Sequence, residues 1–285
     1  MKSAKCEMQS AKCKMQSAKC KIKNVNKKEK KMEAIKKYPR TPHLKGSRLQ
    51  SGDEDLSQVE FSEILGKNIV IEEKIDGANV GISFNENGEL LLQSRGHYLR
   101  GGAREIHYDL FKKWANSAIN TLFDVLGTRY IMYGEWMFAK HKIYYDNLPS
   151  YFLEFDIYDK ENCVFLDTKT RKQMLLGSGI QSVPVLASGV FNSEKQILAY
   201  LGKSLYITEN AQENLLNEIK RLNLNEEEIL SQTQKGDLAE GLYIKVEEDK
   251  EVKNRLKFVR YDYLQTQSVK DGEWLAKTII PNKLK

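Results

Sequence analysis

A chain of 285 residues with 41% hydrophobic side chains, among them 10 Phe, 14 Tyr and 3 Trp, has material for a sizeable core. It lacks any run of about 18 apolar residues, which excludes a membrane-spanning helix, and its N-terminus lacks a secretory apolar stretch, so a cytoplasmic location is expected. The net charge of +6 is not an argument for nucleic acid, because residues 1–31 hold 11 Lys against 2 Glu and leave 34 basic and 37 acidic side chains to the rest.

That first segment repeats itself as SAKCEMQ, SAKCKMQ and SAKCKIK over residues 3–23. Ala4, Ala11 and Ala18 alternate with Met8, Met15 and Ile22 in heptad spacing, but an alanine seam makes a weak coiled coil. Near-identical copies followed by KKEKK read as a tandem duplication and a disordered basic extension over 1–31, with Met32 as a candidate start of the functional chain. The repeats take three of the four cysteines, and Cys163 alone forms neither an internal disulfide nor a zinc site. His43, His97, His107 and His141 show no ligand spacing.

YPRTPHLKGSRLQSGDED (38–55) reads as a turn-rich, extended lead-in. Strands are predicted at 68–75, 78–84 and 89–95, the last two joined by the turn NENG. Residues 105–127 read as one amphipathic helix with Ile106, Leu110, Trp114, Ala118 and Leu122 on its apolar face and Gly127 as its stop. Strands at 130–139, 151–159 and 163–168 follow, then helices at 169–177, 193–201 and 211–232. A last hairpin pairs 240–246 with 254–261 across the charged turn EEDKEVK. The pattern is α+β, rich in antiparallel strands and with no Pro/Gly linker after residue 31, so 32–285 reads as one domain.

Lys74, Asp76, Arg95, Glu135, Glu240 and Lys257 all fall at strand ends. A lysine beside a strand is ordinarily a solvated rim residue whose stem snorkels. Order and context weigh against that here. EKIDGAN (73–79), YGEW (133–136), FLEFDIYD (152–159), EGLYIK (240–245) and RLKFVR (255–260) resemble, in sequence order, five motifs of the covalent nucleotidyltransferases, the superfamily of ATP-dependent ligases and messenger-RNA capping enzymes. Asn79, giving Lys-x-Asp-Gly-x-Asn, is similar to the RNA ligases; DNA ligases typically carry Arg there. The chain departs from the pattern at Arg255, where the fifth motif usually has Lys, and it ends about 25 residues after that motif. No C-terminal oligonucleotide-binding barrel is therefore expected, and 32–66 is too short for one upstream.

The resemblance implies an ATP-grasp-like nucleotidyltransferase fold of antiparallel sheets flanked by helices. It implies an ATP-dependent RNA ligase that forms a lysyl-AMP at Lys74, transfers AMP to a 5′-phosphate end and joins that end to a 3′-hydroxyl, in RNA repair and with an end-healing or RNA-binding partner. Asp76 and Lys257 join Lys74 as catalytic residues, Asp76 by positioning the nucleophile and a metal water. Glu73, Asn79, Arg95, Glu135, Phe155, Glu240, Arg255 and Lys257 are the expected ATP-binding set: Glu135 on the ribose hydroxyls, Phe155 (or else Phe152) on the adenine, Arg95 on the ribose or substrate phosphate. Glu240 is the expected ligand for Mg2+ or Mn2+. Lys257, Arg255 and the metal are expected to lower the Lys74 pKa. His97, Trp136 and His141 are assigned to packing or ordinary hydrogen bonds. A DNA nick sealer and a catalytically silent nucleotide- or RNA-binding module are the alternatives; keeping Lys74, Asp76, Glu135, Glu240 and Lys257 together speaks against the module.

Overall fold

The computed structural model describes residues 34–49, 52, 53, 55–263 and 278–285. The chain divides into two units at Lys36. The first, with the heptad copies, lies almost wholly outside the described residues; the second is Lys37–Lys285.

Its strands in chain order are β1 (His43–Leu44), β2 (Gln58–Val59), β3 (Asn68–Lys74), β4 (Ala78–Phe84), β5 (Leu90–Ser94) and β6 (Tyr130–Trp136). They continue as β7 (Phe152–Asp159), β8 (Val164–Phe165), β9 (Gln181–Ser182), β10 (Val185–Val190), β11 (Gly241–Glu248) and β12 (Glu251–Val259). Two open sheets form, one in the order β10-β3-β11-β12-β1-β2 and the other β5-β4-β6-β7-β8, with β9 beside β7. All pairings are antiparallel except β1 with β12 and β2, and β7 with β9. The α+β class expected from the sequence is observed. No described helix is long and apolar enough to cross a membrane.

The Lys-Ile-Asp-Gly stretch sits where the chain leaves one sheet for the other. β3 ends at Lys74 in the first sheet and β4 begins at Ala78 in the second. An Asp and a Gly, poor residues for a strand centre, are thus the crossover between two strands. Gly77 is required by close approach: a Cβ there would stand 2.6 Å from Met137 Sδ and 2.8 Å from Glu135 Cγ. The cores follow this division. Val80, Ile82, Met132 and Ile157 of the second sheet pack on Phe111, Ala115, Leu122 and Leu126. Ile69, Ile71, Ile244 and Leu256 of the first pack with Leu44, Phe61 and Ile197.

Several elements differ from expectation. Residues 105–127 are not one helix: a 3-10 turn (Ala103–Tyr108) precedes helices Asp109–Ser117 and Ile119–Leu126, broken at Ala118. The expected apolar face is offset as well, since Ile106 and Leu110 are exposed while Phe111, Ala115, Leu122 and Leu126 are buried. A strict spacing of four drifts by about 40° per step around a helix of about 3.6 residues per turn, so a long run of it cannot stay on one face. Residues 211–232 likewise divide into Ala211–Arg221 and Glu226–Ser231, because Asn223 takes a left-handed φ of 52° and Asn225 caps the second helix through Glu228 N at 2.9 Å. The last hairpin turns tightly on Asp249 and Lys250, both at positive φ, and its strands run through most of the expected turn. The expected strand over 163–168 shrinks to β8, and β10 within VLASGV was not foreseen.

Candidate active site

Three strands of the first sheet end together. Lys74 closes β3, Gly241 opens β11 directly opposite it, and Val259 closes β12 opposite Gly241. This register places Glu240 beside Lys74: its Oε2 accepts a hydrogen bond from Lys74 Nζ at 2.8 Å. The second sheet supplies Asn79 and Glu135, which lie opposite one another on β4 and β6, and Arg95 just past the end of β5. Lys74, Asn79, Arg95 and Glu135 line a cavity of about 610 Å³, the size of a small-molecule site. Phe155 reaches it through a bulge. Glu154 pairs with Gly134 and Asp156 with Tyr133, so Phe155 between them has no partner across the ladder. Phe152, the other aromatic considered for adenine, is 1% exposed and stacked on Trp114 at 4.9 Å between centroids, so of the two only Phe155 lines the cavity.

Lys74 lies in a carboxylate field. Burial works against its charge, but Glu240 first and then Glu135 and Asp76 outweigh it, and its pKa is raised. Lys257 and Arg255, expected to depress it, are each paired with a carboxylate, Asp53 and Asp156. Glu135 is pushed up to about 7 by burial, with Asp76 and Glu240 adding to the effect and Lys74 and Arg95 opposing it. Asp76 is held below its usual value despite burial, by His141, the amides of Ile143 and Lys142, and Lys74. Those amides bond Asp76 Oδ2 at 3.1 and 2.8 Å, and the Asp76 amide itself donates to the Tyr145 hydroxyl at 2.9 Å. Asp76 therefore pins the turn after the nucleophile to the loop after β6. His141, read as packing, is part of this anchor at 3.8 Å from Asp76. The packing readings of Trp136 and His97 match their surroundings: Trp136 lies against Phe111, and His97 Nδ1 meets Ser94 Oγ at 3.0 Å.

Two expected site residues stand elsewhere. Arg255 does not line the cavity; its Nε donates to Asp156 at 3.1 Å and its guanidinium lies 3.6 Å from the Phe165 ring centroid. Glu73 touches the cavity, but strand alternation turns its carboxylate the other way, onto Ser204 Oγ and the Leu205 amide. Lys257 does line the cavity, and its ammonium is paired with Asp53. Burial first, then Lys74, lowers the Lys257 pKa against the pull of Asp53. Burial alone would raise Asp53, yet Lys257, His43 and Arg40 hold it down to about 2. His43 Nε2 and Arg40 Nη2 both lie 3.2 Å from the Asp53 carboxylate.

Asp53, Arg40 and His43 belong to the lead-in and carried no motif that marked them as site residues. A legible signal did exist for a second missed group. Glu72, Glu154, Asp156 and Lys245 are charges inside apolar strands, and such charges need partners. Arg171 bridges Glu72 at 2.9 Å and Glu154 at 2.5 Å; Lys245 bridges Glu72 at 2.8 Å and Asp156 at 3.2 Å. Lys245 also donates to the Phe155 carbonyl, which ties this buried network to the bulge. Tyr38, from the lead-in, bonds Asp156 and stands edge-on to Phe155 at 5.1 Å.

A profile of the RNA ligase family matches residues 67–259, more than half of the chain and every strand end described above. The chain belongs to the RNA ligase family. Among solved structures, this RNA ligase-family chain is similar to an apo variant of Naegleria gruberi RNA ligase at 18% identity and a TM-score of 0.47, over 80% of this chain and 58% of that one. Two further variants of that ligase are similar. The one with ATP and Mn has 15% identity and a TM-score of 0.44 over 81% and 62% of the two chains. The one with AMP and Mn has 18% identity and a TM-score of 0.46 over 81% and 63%. The present chain thus spans less than two thirds of the ligases it matches. No curated protein matches it.

Proposed function

We propose that the chain is an ATP-dependent RNA ligase working through a covalent lysyl-AMP. One observation carries this reading: the ammonium of Lys74, at the end of β3, faces a cavity lined by Asn79, Arg95, Glu135, Phe155 and Lys257. Phe155 offers the adenine a ring and Glu135 offers the ribose hydroxyls an acceptor, while Arg95 and Lys257 supply charge for phosphates. Lys74 first loses the proton that Glu240 stabilises. Its Nζ then attacks the α-phosphorus and pyrophosphate leaves. A 5′-phosphate end takes AMP from the lysine, and a 3′-hydroxyl displaces AMP to close the phosphodiester. Among the described residues no cluster of three or more His, Cys, Asp or Glu side chains stands ready for a metal. Glu240 beside Lys74 and Glu135 on the cavity wall are the oxygen donors that would hold Mg2+ or Mn2+ together with phosphates, where it would add positive charge.

Incubation with α-labelled ATP and denaturing electrophoresis tests the reading. The full chain takes up covalent label; Lys74→Ala takes up none, yet partly seals RNA that already carries a 5′-AMP, since only the earlier transfers pass through the lysine. Label on Lys74→Ala removes the nucleophile assignment. On matched nicks an RNA 3′-hydroxyl strand is sealed faster than a DNA one, as Asn79 implies, and equal or faster sealing of DNA overturns the RNA preference. Residues 1–31 are read as dispensable, so a chain starting at Met32 labels as the full chain does.

A further inference from the structure

Beyond β12 the chain stays at the end of the sheet where Lys74 emerges. The Arg48 amide donates to the Val259 carbonyl at 3.0 Å, and the Arg48 guanidinium bonds the carbonyl of Tyr261 and, at 3.1 Å, that of Tyr263. This fixes the guanidinium 5.6 Å from the centre of the Tyr261 ring, which is otherwise 85% exposed. Tyr263 is buried, and the Lys142 ammonium lies 5.1 Å from its ring centre. Lys142 donates its amide to Asp76, two residues from the nucleophile. A continuous row therefore runs from the exposed ring through Arg48, Tyr263 and Lys142 to the turn that presents Lys74.

A single exposed aromatic ring needs no explanation. What sets Tyr261 apart is a cation held against one face by two backbone carbonyls, a second cation further along the row, and a row of contacts that ends at the turn after Lys74. The acids nearby do not cancel this character, because Asp262 is paired with Arg260 and Asp76 is turned onto backbone amides. An open π-face flanked by basic side chains fits an unpaired base and its phosphates. We propose that Tyr261, backed by Arg48 and with Lys142 beside it, is the platform on which a base of the RNA strand stacks as its end enters the cleft. The proposal rests on the ligase reading for its ligand and gives that ligand a place to dock.

The test compares the full chain with Tyr261→Ala and Tyr261→Phe, reading the binding of a fluorescent, 5′-phosphorylated single-stranded RNA by anisotropy and lysine labelling from ATP. Tyr261→Ala binds RNA about tenfold more weakly, the scale of one base–aromatic stack, while Tyr261→Phe stays within about twofold and both variants label from ATP like the parent. Lys142→Ala flattens the salt dependence of RNA binding, as loss of one phosphate contact does. Leu176, equally exposed at 85%, is the control, and Leu176→Ala binds as the parent does. Unchanged RNA binding in Tyr261→Ala, an equal loss in Leu176→Ala, or no RNA binding by the parent overturns the platform. A parent chain that binds RNA but takes no label from ATP overturns the ligase reading and leaves the platform to be judged on binding.

Discussion

Two groups of charges occupy the same strands and are built to opposite rules. In the outer group Lys74 and Glu240 stand where β3 ends and β11 begins, and Lys257 lies two residues inside the end of β12 on the cavity wall. In the inner group Glu72 is level with Lys257 across Tyr243, and Arg255 and Lys245 lie further along the strands. The inner group joins Asp156, Glu154 and Arg171 in a buried network of three acids and three bases, each with a partner of opposite sign. The outer group is left poised. Lys74 faces three carboxylates, Glu135 is pushed up to about 7, and Lys257 rests on a borrowed partner, Asp53. The inner charges are paired across the two sheets and hold them together, whereas the outer ones carry the perturbed protonation that marks a candidate site.

Breaking the inner group has the largest expected effect on stability. Lys245→Met leaves Glu72 and Asp156 buried with less compensation, and urea unfolding should show a loss of about 3–5 kcal/mol. In the outer group the pattern reverses. Lys257→Ala should cost clearly less in the same measurement, because Asp53 keeps Arg40 and His43 as partners, yet lower the rate of AMP labelling by roughly 10²-fold. Equal stability losses in the two variants would erase the distinction between the groups.

The pH dependence of the free protein sharpens the contrast. Glu135 in the fold keeps its proton up to about pH 7, whereas an unfolded glutamate releases it near 4.3. Between these values the folded state binds the extra proton, so stability falls as pH rises, by about 1–3 kcal/mol between pH 5 and 8. Glu135→Gln should flatten that slope in thermal melts at fixed ionic strength. The smallest effect belongs to Asp53→Asn, which frees Lys257. The ATP concentration for half-maximal labelling should fall about threefold, the scale of a part-exposed ion pair; a rise would mean that Asp53 assists the phosphates instead of competing with them.

The motif residues could be read from the sequence because they recur in a fixed order: Lys74, Asn79, Arg95, Glu135, Phe155 and Lys257 line one cavity, and Glu240 bonds Lys74 beside it. Arg255 was misplaced because a motif position says which residue is present and not which way a guanidinium turns once Asp156 is within reach. The carboxylates around Lys74 escaped notice for a related reason, since the cations were visible in the motifs but their partners were not. Asp53 pairs with Lys257 across some 200 positions of sequence, and no local pattern announces such a contact. The helices failed at their breaks, where Ala118 and Asn223 end a turn that spacing alone would continue.

The bulge in β7 has a consequence for insertions and deletions. Glu154 and Asp156 face the consecutive residues Gly134 and Tyr133, so a chain lacking residue 155 would close into a regular ladder with every later pair unchanged. The strand carries one amino acid more than its sheet can pair, and that surplus is the aromatic ring of the cavity. Loss of one codon here would leave the architecture in register while removing an aromatic ring from the cavity wall. Loss of one codon at a paired position of β7 would shift every residue beyond it to the opposite face.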